Sequence, residues 1–218
     1  MKKRGVIFDM DGLMFDTQSV YDECNRYVAE EEYGLPFPEA MRVRMMGRVG
    51  EDLCRVINSF FPDLDAAAFV ERSHSLVAQK VKEELILQPG LEELLPYLEK
   101  EGYRLGLASG SSREIVEGNL ERTGLRRYFL SCTYGDEEMP GKPDPACYLR
   151  AAGRIGCLPQ DCYVLEDSPN GIRAGYRAGC SVLMVPNSVE PDEEIRSMCT
   201  GIYETLADVK TAMEAGII

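Results

Sequence analysis

The sequence predicts an α/β chain, a parallel sheet with helices on both faces, carrying one inserted helical domain. Two observations predict it. Short apolar runs recur, most of them followed by a stretch of helical periodicity, which is the pattern of strands buried on both faces. The rhythm then fails once, over about ninety residues between the first and second runs that contain no strand by periodicity.

The first run, Gly5–Phe8, is apolar throughout and stops at Asp9, so it reads as a buried strand. The strandless interval divides into helical pieces, roughly 17–33, 38–45, 51–60 and 65–85, punctuated by Pro36, Pro38, Gly47, Gly50 and Pro62. A simple crossover needs far less chain, so residues 16–85 are expected to form a separate helical cap, with 1–15 and 86–218 as the α/β core. The second strand is placed at Arg104–Ala108 and its helix at Arg113–Thr123. Phe129–Thr133 is followed by a helix at Pro145–Ile155, and Cys162–Leu165 by one at Asn170–Ala178. Ser181–Val185 is the last strand expected, and Thr205–Ala215 closes the chain as a helix.

Composition bounds the function. The chain has 218 residues, 44% of them hydrophobic, enough for a folded core. Asp and Glu number 37 against 24 Lys and Arg, a net charge of -13. That balance opposes non-specific binding to nucleic acid, which needs a basic surface to displace counterions, and it favours a soluble monomer. Met1 to Arg4 is a basic start, but the apolar run after it is too short for a secretory signal. No stretch reaches the roughly 20 apolar residues that cross a bilayer. The cysteines are scattered, with no CxxC pair, and His74 is the single histidine, which argues against a zinc site. Reduced core cysteines and a cytoplasmic setting are expected.

Four features stand directly after expected strands, where a parallel sheet gathers ligands. The first is Asp9-Met10-Asp11-Gly12. Alternation would put Asp9 and Asp11 on one face, and two carboxylates leaving a buried strand repel unless a cation or proton intervenes. An Asp/Gly turn is the plainer reading. The second is Ser109-Gly110-Ser111-Ser112, whose hydroxyls and amides suit a phosphate at a helix start, although serine is also the natural N-cap. The third is Gly141-Lys142-Pro143-Asp144-Pro145, which would fix an ammonium beside anions. Taken alone, Lys142 reads as a surface lysine. The fourth is Glu166-Asp167-Ser168-Pro169. Asp167 can complete an oxygen-rich magnesium site with Asp9, and Glu166 can hold a metal-bound water or Lys142. Helix capping accounts for one of these two acids, not both.

Together the four are more specific than any one of them, and on these residues the chain resembles the haloacid dehalogenase superfamily, in its β-phosphoglucomutase-like phosphatase subgroup. Phe8-Asp9-Met10-Asp11-Gly12-Leu13-Met14-Phe15-Asp16-Thr17 resembles that group's first motif, and Leu107–Ser112, Gly141–Tyr148 and Val164–Gly175 are similar to the other three. The likeness runs nearly end to end and includes a helical cap after the first motif. It implies a Rossmann-like core and a magnesium-dependent phosphatase acting on a small phosphorylated metabolite. In that scheme Asp9 is the nucleophile and Asp11 the proton donor and acceptor. Ser109, Gly110 and Lys142 hold the phosphoryl group, and Mg2+ is bound by Asp9, Asp11 (through its main-chain carbonyl) and Asp167, with Glu166 near the metal. An acid at Asp11 suits hydrolysis of a C–O–P ester; the related dehalogenases resemble something other than an acid there.

A sugar-phosphate mutase is the nearest alternative. Mutases of this group resemble a pattern with a cap histidine and a cap arginine, at positions here occupied by Tyr21 and Gly50; Arg48 stands nearby, either as a substitute for that arginine or as a candidate substrate contact. A phospho-acceptor signalling domain or a silent binding module is the alternative from another class, but receivers are shorter and uncapped. Arg72, His74, Lys80 and Lys82 read as solvated helix faces, and Met45-Met46 and Phe60-Phe61 as cap core. Sugar phosphates lead nucleotides and small phosphorylated acids as candidate substrates.

Overall fold

The computed structural model describes residues 3–46, 48, 50–83, 85–187 and 189–218, so Gly47 and part of the expected 65–85 helix lie outside the described residues. Six strands form one wholly parallel sheet: β1 (Gly5–Phe8), β2 (Arg104–Ala108), β3 (Ser131–Thr133), β4 (Cys162–Glu166), β5 (Ser181–Met184) and β6 (Gly201–Ile202). Their spatial order is β3-β2-β1-β4-β5-β6, with β1 central and buried along its length. Phe8 is in register with Leu107 on one side and Leu165 on the other. The strand order reverses direction at β1, and the crevice beyond the carboxyl ends at such a switch point is where open α/β sheets bind ligands.

The helices are α1 (Thr17–Tyr27), α2 (Glu39–Met45), α3 (Gly50–Phe60), α4 (Ala66–Glu83), α5 (Leu91–Lys100), α6 (Arg113–Arg122), α7 (Ala146–Arg154), α8 (Pro169–Arg177), α9 (Glu193–Met198) and α10 (Leu206–Glu214). Their starts follow local chemistry. Ser168 accepts a hydrogen bond from the Gly171 amide ahead of α8, whose first residue is proline, and Thr205 with Asp208 forms a reciprocal capping box on α10. On one face of the sheet, Tyr148, Ala151, Ala152 and Ile155 pack against Ile7 and Val164. None of the described helices is long and apolar enough to cross a membrane.

The chain divides into two compact units, residues 1–16 with 86–218, and residues 17–85. The first holds the sheet. The second is helical and has its own core, in which Phe37, Met41, Ile57 and Phe69 are buried, with Met45, Phe60 and Phe61 in the same cluster. Arg72 pairs with Glu32, Lys80 pairs with Glu23, and the His74 ring meets the Tyr21 ring edge-on at 5.6 Å between centroids.

Several element bounds differ from the expectation. Phe129 and Leu130 lie outside β3, because a short helical turn at Leu125–Tyr128 precedes them and Leu130 points to solvent. The stretch expected as one helix at 17–33 leaves α-geometry after Tyr27, and Val28–Glu32 is a wider π-helical turn. The sequence reading assigned no element to α5, α9 or β6. Leu91, Leu94, Leu95 and Leu98 bury one face of α5, a plain helical period interrupted by Pro96, which stands on the exposed side. β6 has only two residues, too few for any periodicity.

Candidate active site

The site is built where β1, β2 and β4 end. The Asp9 amide still donates to the Leu165 carbonyl at 3.0 Å, so Asp9 leaves the sheet with its backbone pinned to β4. The chain then turns tightly. Met14 donates to the Met10 carbonyl at 2.9 Å, the Gly12 amide to Phe15 at 3.0 Å, and Met10, Leu13 and Met14 are buried beneath the turn. Gly12 has φ +89°, and a Cβ there would lie 2.2 Å from Asp167 Oδ2. Only glycine admits both that backbone and the approach of Asp167.

At the end of β4, Glu166 is fully buried and anchored on both oxygens. Its Oε1 accepts from Lys142 Nζ at 2.7 Å and from the Tyr148 hydroxyl at 2.6 Å. Its Oε2 accepts from the Asp167 amide, the Ser168 amide and Ser168 Oγ, each at 3.0 Å. Of the two roles the sequence left open for Glu166, this geometry is the one in which it holds Lys142. Lys142 reaches the site from the loop before α7 and is also bonded to Asp9 Oδ1 at 2.5 Å and to the Ala108 carbonyl at 3.2 Å. Its three ammonium protons thus meet three acceptors from three strand ends.

Asp9 and Asp11 do not aim at the same partners. The Asp11 carboxylate turns to the end of β2, where Oδ2 accepts from Ser111 Oγ at 2.7 Å and Ser109 Oγ at 3.2 Å. Ser109 is buried, and its Oγ also accepts from the Ser111 amide. Gly110 is exposed at the turn, and its carbonyl would lie 1.8 Å from a Cβ at Gly135. Ser112 occupies the N-cap of α6 without a side-chain capping bond. The sequence reading offered Ser111 only with its neighbours, as a phosphate-holding or capping hydroxyl, and no local signal points to its bond with Asp11. It also gave Tyr148, the last residue of the third motif, no role of its own, since an aromatic on the inner face of a helix reads as core.

Burial sets the electrostatics. It pushes the Asp9 carboxyl up to about 8; Lys142 opposes the rise, while Glu166 and Asp11 add to it. Burial also raises Asp167 well above the ordinary range, and the charges of Glu166 and Asp9 add to the rise. Asp11 is raised by burial, against the hydrogen bonds from Ser111 and Ser109. For Glu166, burial is outweighed by Lys142 and by its hydrogen bonds, so its pKa is lowered. Burial would lower Lys142, but Asp9 and Glu166 outweigh it and hold the ammonium charged. One fixed cation therefore serves a group of acids.

Carboxylate oxygens of Asp9, Glu166 and Asp167 all lie within 4.8 Å of one another. This all-oxygen donor set fits a hard divalent cation, and with Glu166 committed to other donors, Asp9 and Asp167 are the acids best placed to hold one. Arg48, offered by the sequence as a substrate contact, belongs to the helical unit, where its Nε donates to the Arg44 carbonyl at 2.8 Å. Tyr21 and Gly50 belong to the same unit.

The comparisons with known proteins agree with this architecture. The profile of the haloacid dehalogenase-like hydrolases matches residues 6–185. A phosphorylated carbohydrates phosphatase of Thermotoga maritima is 31% identical over 214 residues, covering 98% of this chain and 91% of the relative. A protein of Drosophila melanogaster provisionally named as a pseudouridine-5'-phosphatase is 33% identical over 216 residues, covering 94% and 90%. Among solved structures, a Thermotoga maritima protein provisionally named as a β-phosphoglucomutase superposes with a TM-score of 0.81 at 28% identity, covering 97% of this chain and 99% of the other. With a family match across most of its length, a wholly parallel sheet and relatives named as phosphatases, the chain belongs to the haloacid dehalogenase-like hydrolases, as a phosphatase of the β-phosphoglucomutase-like group.

Proposed function

We propose that this protein hydrolyses a small sugar phosphate by passing the phosphoryl group through Asp9 to water, with Mg2+ bound. The observation that carries the proposal is the charge imbalance at the strand ends. Asp9, Asp11, Glu166 and Asp167 gather around the ammonium of Lys142, an arrangement short of positive charge until a divalent ion and a proton are added.

Mg2+, held by Asp9, Asp167 and the main-chain carbonyl of Asp11, would supply the positive charge that lets an anionic carboxylate approach an anionic phosphate. A carboxylate oxygen of Asp9 attacks phosphorus in line, forming the O–P bond of an aspartyl phosphate as the ester P–O bond breaks. Lys142 stays bonded to Asp9 and neutralises charge gathering on the equatorial oxygens. Asp11, whose burial favours its protonated form, gives its proton to the leaving alkoxide. It then takes a proton from the water that attacks the aspartyl phosphate, releasing phosphate and restoring Asp9. Ser109 and the Gly110 turn border the phosphoryl position and donate to its oxygens.

Replacing Asp11 with Asn keeps the shape and removes the exchangeable proton. Phosphate release is expected to slow by about 10²–10⁴-fold with the melting temperature preserved. A rate near that of the parent protein removes Asp11 from proton transfer.

Metal and pH are linked through the same acids. Asp9 has an ordinary value of 3.8 and stands at about 8 in the folded, metal-free protein. A carboxyl raised on folding contributes stability at low pH that is lost as pH climbs to the folded value, and Asp167 is shifted in the same direction. Lys142, raised above its ordinary range, contributes evenly below that range. In EDTA the melting temperature is therefore expected to fall between pH 5 and 8, and Mg2+ to raise it more at pH 8 than at pH 5. Thermal melts at both pH values, with and without Mg2+, check this; an Mg2+ shift equal at both contradicts it.

The sugar-phosphate assignment follows the Thermotoga maritima relative named for phosphorylated carbohydrates. The likeness to a structure named as a β-phosphoglucomutase supports mutase activity as a second reading. Against it, Tyr21 replaces the mutase histidine, and Gly50 has φ +57°, a backbone region that strains an arginine. Phosphate release from p-nitrophenyl phosphate with Mg2+ tests hydrolysis, and no release from any phosphoester returns the signalling or binding-module alternatives. Sugar monophosphates assayed with and without a bisphosphate activator separate the two activities, since a mutase isomerises and needs the activator. The net charge of -13 supports a monomeric enzyme that acts on metabolites, not on nucleic acid, and the free cysteines support a cytoplasmic setting.

A further inference from the structure

We infer that Tyr148 is a positioning residue for phosphoryl transfer, and that its phenol divides the charge of Lys142 between Glu166 and Asp9. This rests on the proposed transfer to Asp9. Tyr148 is fully buried on α7, in the core cluster that includes Ile7 and Val164, so close packing holds its ring in place. Two parts of the ring act on the same ion pair. Its hydroxyl donates to Glu166 Oε1 at 2.6 Å, the same oxygen that accepts from Lys142 at 2.7 Å. Its face lies under the Lys142 ammonium, 4.9 Å from Nζ to the ring centroid.

A lysine stem is flexible, and an ammonium placed between two carboxylates drifts towards the one with more uncompensated charge. Glu166 Oε2 already takes three donors, so Oε1 is where its remaining charge acts. The Tyr148 hydroxyl spends part of that charge. This leaves more of the ammonium's attraction for Asp9 Oδ1, at 2.5 Å. The ring face closes the side on which Nζ would otherwise swing away. A phenylalanine here would fill the same space in the core, so packing alone does not explain the hydroxyl. A buried phenol needs a partner, and this one meets a carboxylate oxygen that also binds Lys142.

The test compares Tyr148→Phe, which removes the hydroxyl alone, with Tyr148→Leu, which removes the ring as well. Each is measured as kcat and KM for p-nitrophenyl phosphate at saturating Mg2+, together with the melting temperature. Tyr148→Phe is expected to lower kcat about tenfold, with KM within about twofold and the melting temperature down by a few degrees at most. Tyr148→Leu is expected to lower kcat further. Folded Tyr148→Phe protein with a parental kcat, or with KM raised and kcat kept, overturns the inference, because a purely structural tyrosine moves only the melting temperature. If Tyr148→Leu does not fold, Tyr148→Phe alone decides. Failure of the parent protein to release phosphate would sink the proposed reaction itself; normal parental turnover with an unaffected Tyr148→Phe sinks only the role given to Tyr148.

Discussion

Asp9→Asn is expected to abolish phosphate release, a loss of about 10⁴-fold or more, while the protein still folds. The amide matches the carboxylate in shape, and the backbone at residue 9 is pinned to Leu165 whatever the side chain. What the substitution removes is the negative oxygen that attacks phosphorus and one ligand of the Asp9–Asp167 pair that suits a metal. Neither Asp11 nor Glu166 can take over. Asp11 is tied to Ser109 and Ser111, and Glu166 is filled by five donors. The measurement is steady-state phosphate release alongside intact mass after rapid quenching, where only the parent protein should carry a trapped phosphoryl group. Turnover in Asp9→Asn near the parental rate would remove the nucleophile assignment.

Lys142→Met should have the next largest effect, on activity and stability together. Methionine keeps most of the length and loses the charge. Asp9 and Glu166, both buried, would then face each other without a cation, and breaking a buried pair from one side costs about 3–5 kcal/mol. Proton uptake by Asp9 limits the loss at low pH, so it should be largest in EDTA near pH 8 and partly offset by Mg2+. For a chain of this size, about 3 kcal/mol corresponds to a melting temperature lower by roughly 6–12 °C. Turnover should fall about 10³-fold, the scale of losing one preorganised donor in a buried site. A melting temperature unchanged in EDTA at pH 8 would show that Lys142 is not the ion holding these acids together.

The sheet was legible because its strands are buried on both faces, which makes them continuous apolar runs in the sequence. Gly5–Phe8 and Cys162–Leu165 are such runs, and the acids that follow them, Asp9 and Glu166, stand out by contrast. Less was legible where a signal is shared between two environments. Leu91–Lys100 has a clean helical face, but Pro96 inside it and the strandless interval before it hid the element. Gly201–Ile202 pairs with β5 over two residues, too few for a side-chain pattern to report. Ser111 and Tyr148 look like a cap and a core residue, and their partners, Asp11 and Glu166, stand on other elements, 100 and 18 residues away.

From sequence alone come the α/β class, the acids at the strand ends and the family resemblance, because all three rest on local residue type and order. Only the tertiary structure decided how the charges are shared. It tied Glu166 to Lys142 and Tyr148, turned Asp11 towards the serines, and brought Asp167 within reach of Asp9 across the Cβ-free surface of Gly12. The reason is physical: an acid's role depends on its burial and on which donor reaches it first, and those donors come from strands and helices widely separated in the chain.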